Sequence, residues 1–325
     1  MEACAVIFNP RTSTHACQFA HFNPDYLMAS ASPAIPRWLG VALMLGIAAA
    51  FASNHVAARL AFDHGANVLT AITFRSIGTA LVVLALMRVT GVKLALPGTR
   101  PWQALVFGLA ITVQSACLYA AVARLPGALA LLTFNTFPMM LAIISWLSGG
   151  ALPVRRVLIA MPVALAGLAL ALGVTGVPAQ IDSARFAEGV ACALGASLAF
   201  AISLVLMARW LGKVDGRMRS FVGMSVVSVL ALAAGLATDG FALPRDGAGW
   251  TGLALLTLFY GIAITGLFVV LPKLGAVNNA ALMNFEPVAA LMLGWLVLGQ
   301  TIAPVQMIGM AVVIGAIVMV ATAKH

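Results

Sequence analysis

Charge is what this sequence has least of. Only 8% of its 325 residues are Asp, Glu, Lys or Arg, against roughly a quarter in an ordinary soluble domain. The polar surface needed to cover a water-soluble globule is missing. Acids are scarcest, nine in all. Cysteine is rarer still, with four. Cys4 and Cys17 precede every long apolar run, and Cys117 and Cys192 sit inside such runs, so no disulfide framework is implied. Five histidines without ligand spacing offer no metal site. The chain has no GxxxxGK loop, so it does not drive itself with ATP, and no cofactor is expected. It has neither a GxSxG turn nor an HExxH pair, and only one histidine within a long apolar run. An intramembrane enzyme would need such a constellation, so the chain does not read as an enzyme.

What fills the chain instead is apolar sequence, 62% of all residues. A helix needs about 20 apolar residues to cross a hydrocarbon core of roughly 30 Å. Ten segments meet this description: 38–58, 66–87, 102–123, 126–147, 156–176, 188–208, 219–237, 250–271, 275–297 and 302–322. The connections are short and carry turn residues, such as Asp63-His64-Gly65, Pro97-Gly98 and Asp215-Gly216. Backbone groups in lipid must pair within their own helix, so the expected fold is an all-α integral membrane bundle of ten transmembrane helices.

The ten divide into two similar halves. Gly40–Ala52 reads GVALMLGIAAAFA and Gly189–Ala201 reads GVACALGASLAFA, with eight of thirteen positions identical. The offset of 149 residues returns at Asn135 and Asn284, Pro138 and Pro287, Trp146 and Trp295, Gly150 and Gly299, and Leu125 and Leu274. The chain therefore reads as a five-helix repeat over 38–176 and a second over 188–322. Five is odd, so the second copy enters the membrane upside down. Charge tests that inversion. With the N-terminus in the cytoplasm, thirteen basic residues fall inside, among them Arg88, Arg155, Arg209, Arg219 and Lys273. Four fall outside: Arg59, Arg124, Arg185 and Arg245. The bias is positive-inside, with both termini cytoplasmic. Topology thus accounts for the net charge of +9, and no nucleic-acid partner is implied. Residues 1–37 form a Pro-containing N-terminal extension expected to be disordered, with Met28 as a second candidate start.

Polar residues inside the spans carry the functional signal. An ionisable group at membrane depth costs about 2.5–3.5 kcal/mol on insertion scales and should face the bundle interior. Two charges lie deep, Arg75 in the second span and Glu286 in the ninth. Gln114, Asn135, Tyr260 and Asn284 lie at similar depth, with Asn54 and His55 nearer the outer end of the first span. These eight are the candidates for a substrate cavity, Glu286 being the one that would carry a coupling proton. Each also has a plainer reading. Arg75 and Glu286 would make a buried structural pair. Asn135 and Asn284 stand three residues before a proline, where a side-chain amide can serve freed carbonyls. Asn54 suits an interhelical hydrogen bond, and His55 an interface position. Gln114 and Tyr260 have no polar equivalents at the repeat offset, which favours a substrate role.

The run Asn284-Phe285-Glu286-Pro287-Val288-Ala289-Ala290-Leu291, continuing through Gly294-Trp295 to Leu298-Gly299-Gln300, resembles the ninth-span signature of the EamA-like branch of the drug/metabolite transporter superfamily. Phe134 to Gly150 is its weaker first-half copy, and Arg75 after Thr70-Ala71-Ile72-Thr73-Phe74 fits the same pattern. The resemblance covers residues 38–322. It implies ten helices, cytoplasmic termini and export of small metabolites, amino acids or toxic compounds. Two departures stand out. Gln300 replaces an acid common in the family, and Phe137 occupies the first-half position of Glu286, so no mechanism with two symmetric carboxylates is open.

The expected function is that of a secondary transporter in a bacterial inner membrane, exporting a small metabolite, amino acid or drug-like compound by alternating access, with protons as the natural coupling ion. The alternative is a facilitative channel or a membrane sensor of a small molecule. The partners are a small-molecule substrate, protons and the lipid bilayer. A homo-oligomer is compatible with the sequence, which fixes neither substrate nor direction.

Overall fold

The computed structural model describes residues 36–122, 124–125, 127–150, 152–173, 183–298 and 301–323. The candidate start at Met28 and nearly all of the expected extension lie outside the described residues. Those described form helices and connections, with no strand among them. The helices are α1 (Arg37–Asp63), α2 (Val68–Val89), α3 (Pro101–Val122), α4 (Gly127–Phe134), α5 (Phe137–Leu147), α6 (Arg155–Ala171), α7 (Ser183–Trp210), α8 (Gly216–Ala237), α9 (Gly247–Leu274), α10 (Ala276–Asn279), α11 (Phe285–Leu298) and α12 (Pro304–Ala321). A 3₁₀ turn over Ala280–Asn284 joins α10 to α11.

Local chemistry sets the helix starts. Asn67, Asp215 and Asp246 accept hydrogen bonds from Thr70 N, Arg217 N and Gly249 N, which serves orphan first-turn donors. Pro304 opens α12, where its missing N–H costs nothing. Arg37 closes the other end of α12. It donates to Ala321 O (2.6 Å) and Val320 O (2.9 Å), placing a cation on the negative pole of the last helix.

Among the described residues, eight stretches are long and apolar enough to cross a membrane: α1, α2, α3, Leu129–Leu147 (most of α4 with α5), α7, α8, α9 and α12. Two of the ten expected spans take another form. The fifth appears as α6, 17 residues long. The ninth is broken into α10, the 3₁₀ turn and α11. Gly275 adopts φ +85°, which ends α9, and Pro287 has no N–H to carry the ladder through the break. The first half is broken at the matching place, Asn135–Thr136, just before Pro138.

The helices pack reciprocally. α1 lies on α9 as α7 lies on α3, and α1 meets α11 as α7 meets α5. α2 packs on α8 and on α9, α3 on α8, and α6 on α12. Exchanging the two halves maps this set of contacts onto itself. The repeated glycines explain part of the sequence match. A Cβ on Gly40 would collide with Leu274, and one on Gly189 would collide with Leu125, so each half's glycine receives the other half's leucine.

The α6–α12 contact is the tightest. A Cβ on Gly309 would overlap the backbone N of Ala171, and one on Gly167 would stand 3.0 Å from Gly309 O. Lipid offers these helices no hydrophobic drive to associate, so close backbone approach is what holds them. Gly309→Leu is therefore expected to force the pair apart and cost at least about 3 kcal/mol, the upper end for overpacking. Thermal unfolding in detergent checks this, with the lipid-facing Met307→Leu (60% exposed) expected to behave as wild type.

Candidate functional site

One cavity brings together polar side chains from five parts of the chain. α1 contributes Phe51, Asn54 and His55, which share a face by their spacing of three and four. α2 contributes Arg75, α3 Gln114 and Leu118, and α9 Tyr260, Ile264 and Leu267 at i, i+4 and i+7. The broken segments add Leu131, Phe134 and Phe137 on one side and Met283 and Glu286 on the other, with Phe200 from α7. Phe134, Phe137 and Phe200 form an aromatic wall, with ring centroids 4.9 to 5.8 Å apart. The cavity holds about 60 Å³, room for roughly four water molecules at ~15 Å³ each.

Six of the eight candidates therefore share this cavity: Asn54, His55, Arg75, Gln114, Tyr260 and Glu286. Asn135 and Asn284 do not line it. They sit at the two helix breaks, 2% and 1% exposed. Asn135 Nδ2 donates to Leu131 O (2.8 Å). That carbonyl already accepts the Asn135 backbone N–H, so the amide does not serve Phe134 O, the group freed by Pro138. The Oδ1 atoms of Asn54, Asn135 and Asn284 have no hydrogen-bond partner among the described residues.

The two deep charges do not pair with each other. Glu286 Oε1 lies 2.7 Å from His55 Nε2. Arg75 instead lies on aromatic faces, its Cζ 4.1 Å from the centroid of Tyr260 and 5.4 Å from that of Tyr119. Its Nη2 reaches Ser115 Oγ at 3.3 Å, and its Nε has no partner among the described residues. The Arg75–Glu286 structural pair is thus not formed. The aromatic quadrupoles stabilise the guanidinium without neutralising it, by up to about 2 kcal/mol when desolvated. Tyr260 is held in turn by Phe51, edge to face at 6.0 Å.

Two residues escaped the sequence reading. Tyr119 completes the cradle around Arg75. Its signal was available, because it is one of only three tyrosines and falls within a span. Arg219 was assigned to the inner loop, yet it is 7% exposed. It donates to Leu211 O (2.9 Å), Gly212 O (3.0 Å) and Phe268 O (3.2 Å). Phe268 is four residues before Pro272, which cannot donate to it, so Arg219 supplies the missing hydrogen bond and also caps the end of α7. Arg219 is accordingly a structural cation. On the opposite side, His64 Nδ1 meets Asp246 Oδ2 at 2.7 Å. The Gly249 N–H and this histidine hold the Asp246 carboxyl below the usual range.

Residues 187–322 match the EamA-like transporter family. The chain is 25% identical over 283 residues to the threonine/homoserine exporter RhtA of Escherichia coli K12, covering 87% of this chain and 91% of that protein. It is 24% identical over 290 residues to RhtA of Salmonella typhimurium SL1344, covering 89% and 93%. A solved crystal structure shares the fold with TM-score 0.73 at 18% identity, covering 87% of this chain and 97% of its own. Helices long and apolar enough to cross a membrane, together with this similarity to membrane exporters, support a multi-pass membrane protein. The matched domain includes Tyr260, Asn284 and Glu286, while Asn54, His55, Arg75, Gln114 and Asn135 come from the half before it.

Proposed function

We propose that the chain exports a small zwitterionic metabolite of amino-acid type by alternating access, with the His55–Glu286 pair carrying the coupling proton. One observation carries this reading. A buried cation and a buried carboxylate line the same cavity yet do not neutralise each other. A free amino acid presents the complementary pair, a carboxylate for Arg75 and an ammonium group for Glu286. Gln114 and Asn54 offer neutral hydrogen bonds to the side chain. The similarity to threonine/homoserine exporters supports a small polar side chain.

The reciprocal helix packing and the mirrored helix breaks support two inverted repeats of five membrane passes; the positive-inside charge bias supports cytoplasmic termini, and the similarity to bacterial exporters a bacterial inner membrane. A cavity of about 60 Å³ is too small for such a substrate beside the polar side chains. It corresponds to a closed stage, and the halves must part on one side to load and on the other to release. The breaks at Asn135–Thr136 and Ala280–Asn284 supply the backbone freedom.

Counterflow in reconstituted vesicles tests this. Vesicles preloaded with unlabelled threonine or homoserine are expected to accumulate the labelled compound transiently, with saturation. Non-saturating flux without counterflow would identify a channel. Absence of flux for every amino acid tried, with retained binding, would favour a sensor.

A further inference from the structure

A second feature lies on the outer face of the two helices that carry Arg75 and Tyr260. Between α2 and α9 runs an open groove of about 750 Å³, from Phe74 and Trp250 at one end to Leu86 and Gly266 at the other. Its lining is almost wholly apolar. Gly78 and Gly261 keep its floor low, since the first abuts Thr257 and the second Thr79, with no side chain of their own to fill the space. The groove does not stop at Leu86. It continues into a recess of about 640 Å³ that shares Leu86, Thr265 and Gly266. There the lining changes to one acid and three bases: Asp215, Arg217, Arg219 and Lys273. Asp215 is already engaged by Arg217 at 3.0 Å, and Arg219 is turned onto backbone carbonyls. Lys273 is exposed and has no partner among the described residues.

The geometry points to a binding site for a phospholipid with an anionic headgroup. Twelve residues of α9 separate Lys273 from Gly261, a rise of about 18 Å. One leaflet of the hydrocarbon core is roughly 15 Å deep, half of the full ~30 Å. A headgroup phosphate at Lys273 therefore places acyl chains along the glycine-floored part of the groove. The charge excludes a second copy seated here by two-fold symmetry. Such a dimer would bring two net-positive recesses together at one depth, with no acid to spare on either side. A lipid phosphate meets the same charge favourably, and basic clusters beside membrane helices attract anionic lipid by about 1 kcal/mol per residue. The bound lipid would rest on the backs of α2 and α9, whose inner faces hold Arg75 and Tyr260.

Native mass spectrometry of the full chain in detergent, titrated with phosphatidylglycerol or phosphatidylcholine, tests the site. The wild type is expected to retain phosphatidylglycerol at about tenfold lower concentration. Lys273→Gln, an exposed substitution, should remove most of that preference. Val82→Trp, at a groove position 64% exposed to lipid, should weaken both lipids alike by filling the acyl path. Equal retention of the two lipids by wild type, or an unchanged preference in Lys273→Gln, would overturn the proposal. A concentration-dependent dimer abolished by Val82→Trp would give the groove to a second copy instead.

Discussion

Arg75→Ala is expected to raise the substrate concentration for half-maximal counterflow by roughly 10- to 100-fold. A hydrogen bond to a charged group contributes about 1.5–3 kcal/mol, and each ~1.4 kcal/mol is a factor of ten. Folding should survive. Arg75 is 6% exposed and has no carboxylate partner among the described residues, so its removal relieves a desolvation cost and orphans no buried anion. Tyr260 and Tyr119 would then face each other across a small void. Arg75→Lys should fall between, because an ammonium keeps the charge and loses the flat stacking on Tyr260 at 4.1 Å. The discriminating readout is a substrate analogue with its carboxylate converted to an amide. Wild type should reject it, and Arg75→Ala should treat it much like the parent compound. If both proteins reject the amide equally, Arg75 does not read a carboxylate, whatever happens to the overall rate.

Glu286→Gln is expected to abolish gradient-driven accumulation while keeping exchange. The carboxylate is 8% exposed and its short contact is to His55, across 231 residues of chain. Glutamine can still hydrogen-bond His55, so the contact between α1 and α11 is kept and the folded protein should be recovered at wild-type yield. What is lost is the carboxyl proposed to carry the coupling proton. Reconstituted vesicles with an imposed proton gradient separate the two activities, since counterflow needs no net proton movement. His55→Gln should impair accumulation too, because Glu286 then loses the imidazole it contacts at 2.7 Å. Uphill accumulation by Glu286→Gln at the wild-type level would show that the pair is structural. A variant that aggregates while His55→Gln folds would place the essential contact elsewhere on Glu286.

These tests bear on a site that was only partly legible beforehand. Depth was readable, because a polar residue in the middle of an apolar run has few places to go. That singled out Arg75, Gln114, Asn135, Tyr260, Asn284 and Glu286, and all but the two asparagines line one cavity. Partnership was not readable. His55 fitted a cavity or an interface position equally, and nothing in its neighbours along the chain points to Glu286. Arg219 looked like a loop cation, because its use depends on Pro272 having stripped a donor from Phe268, on the next helix. Asn135 and Asn284 match at the repeat offset and carried two readings, cavity residue or partner to freed backbone. Both sit at the helix breaks and neither lines the cavity, and Asn135 bonds the backbone of the turn before its break.

The sequence by itself determined the apolar, all-helical character of the chain and the fixed offset between matching stretches. Hydropathy and a fixed offset are properties of residues in order, and they survive without any knowledge of neighbours. It determined the break in the ninth segment less well: three asparagines and Pro287 interrupt 275–297, but none of them says that Gly275 turns to positive φ. Only the tertiary structure decided which helices touch. Helices that are apolar all round carry no stripe to say which face meets which partner. Lateral packing is settled by small residues and shape: Gly309 on Ala171, Gly40 under Leu274, Gly189 under Leu125. That packing brought His55 to Glu286, left Arg75 on two tyrosines, and opened a groove on the lipid side of the same two helices.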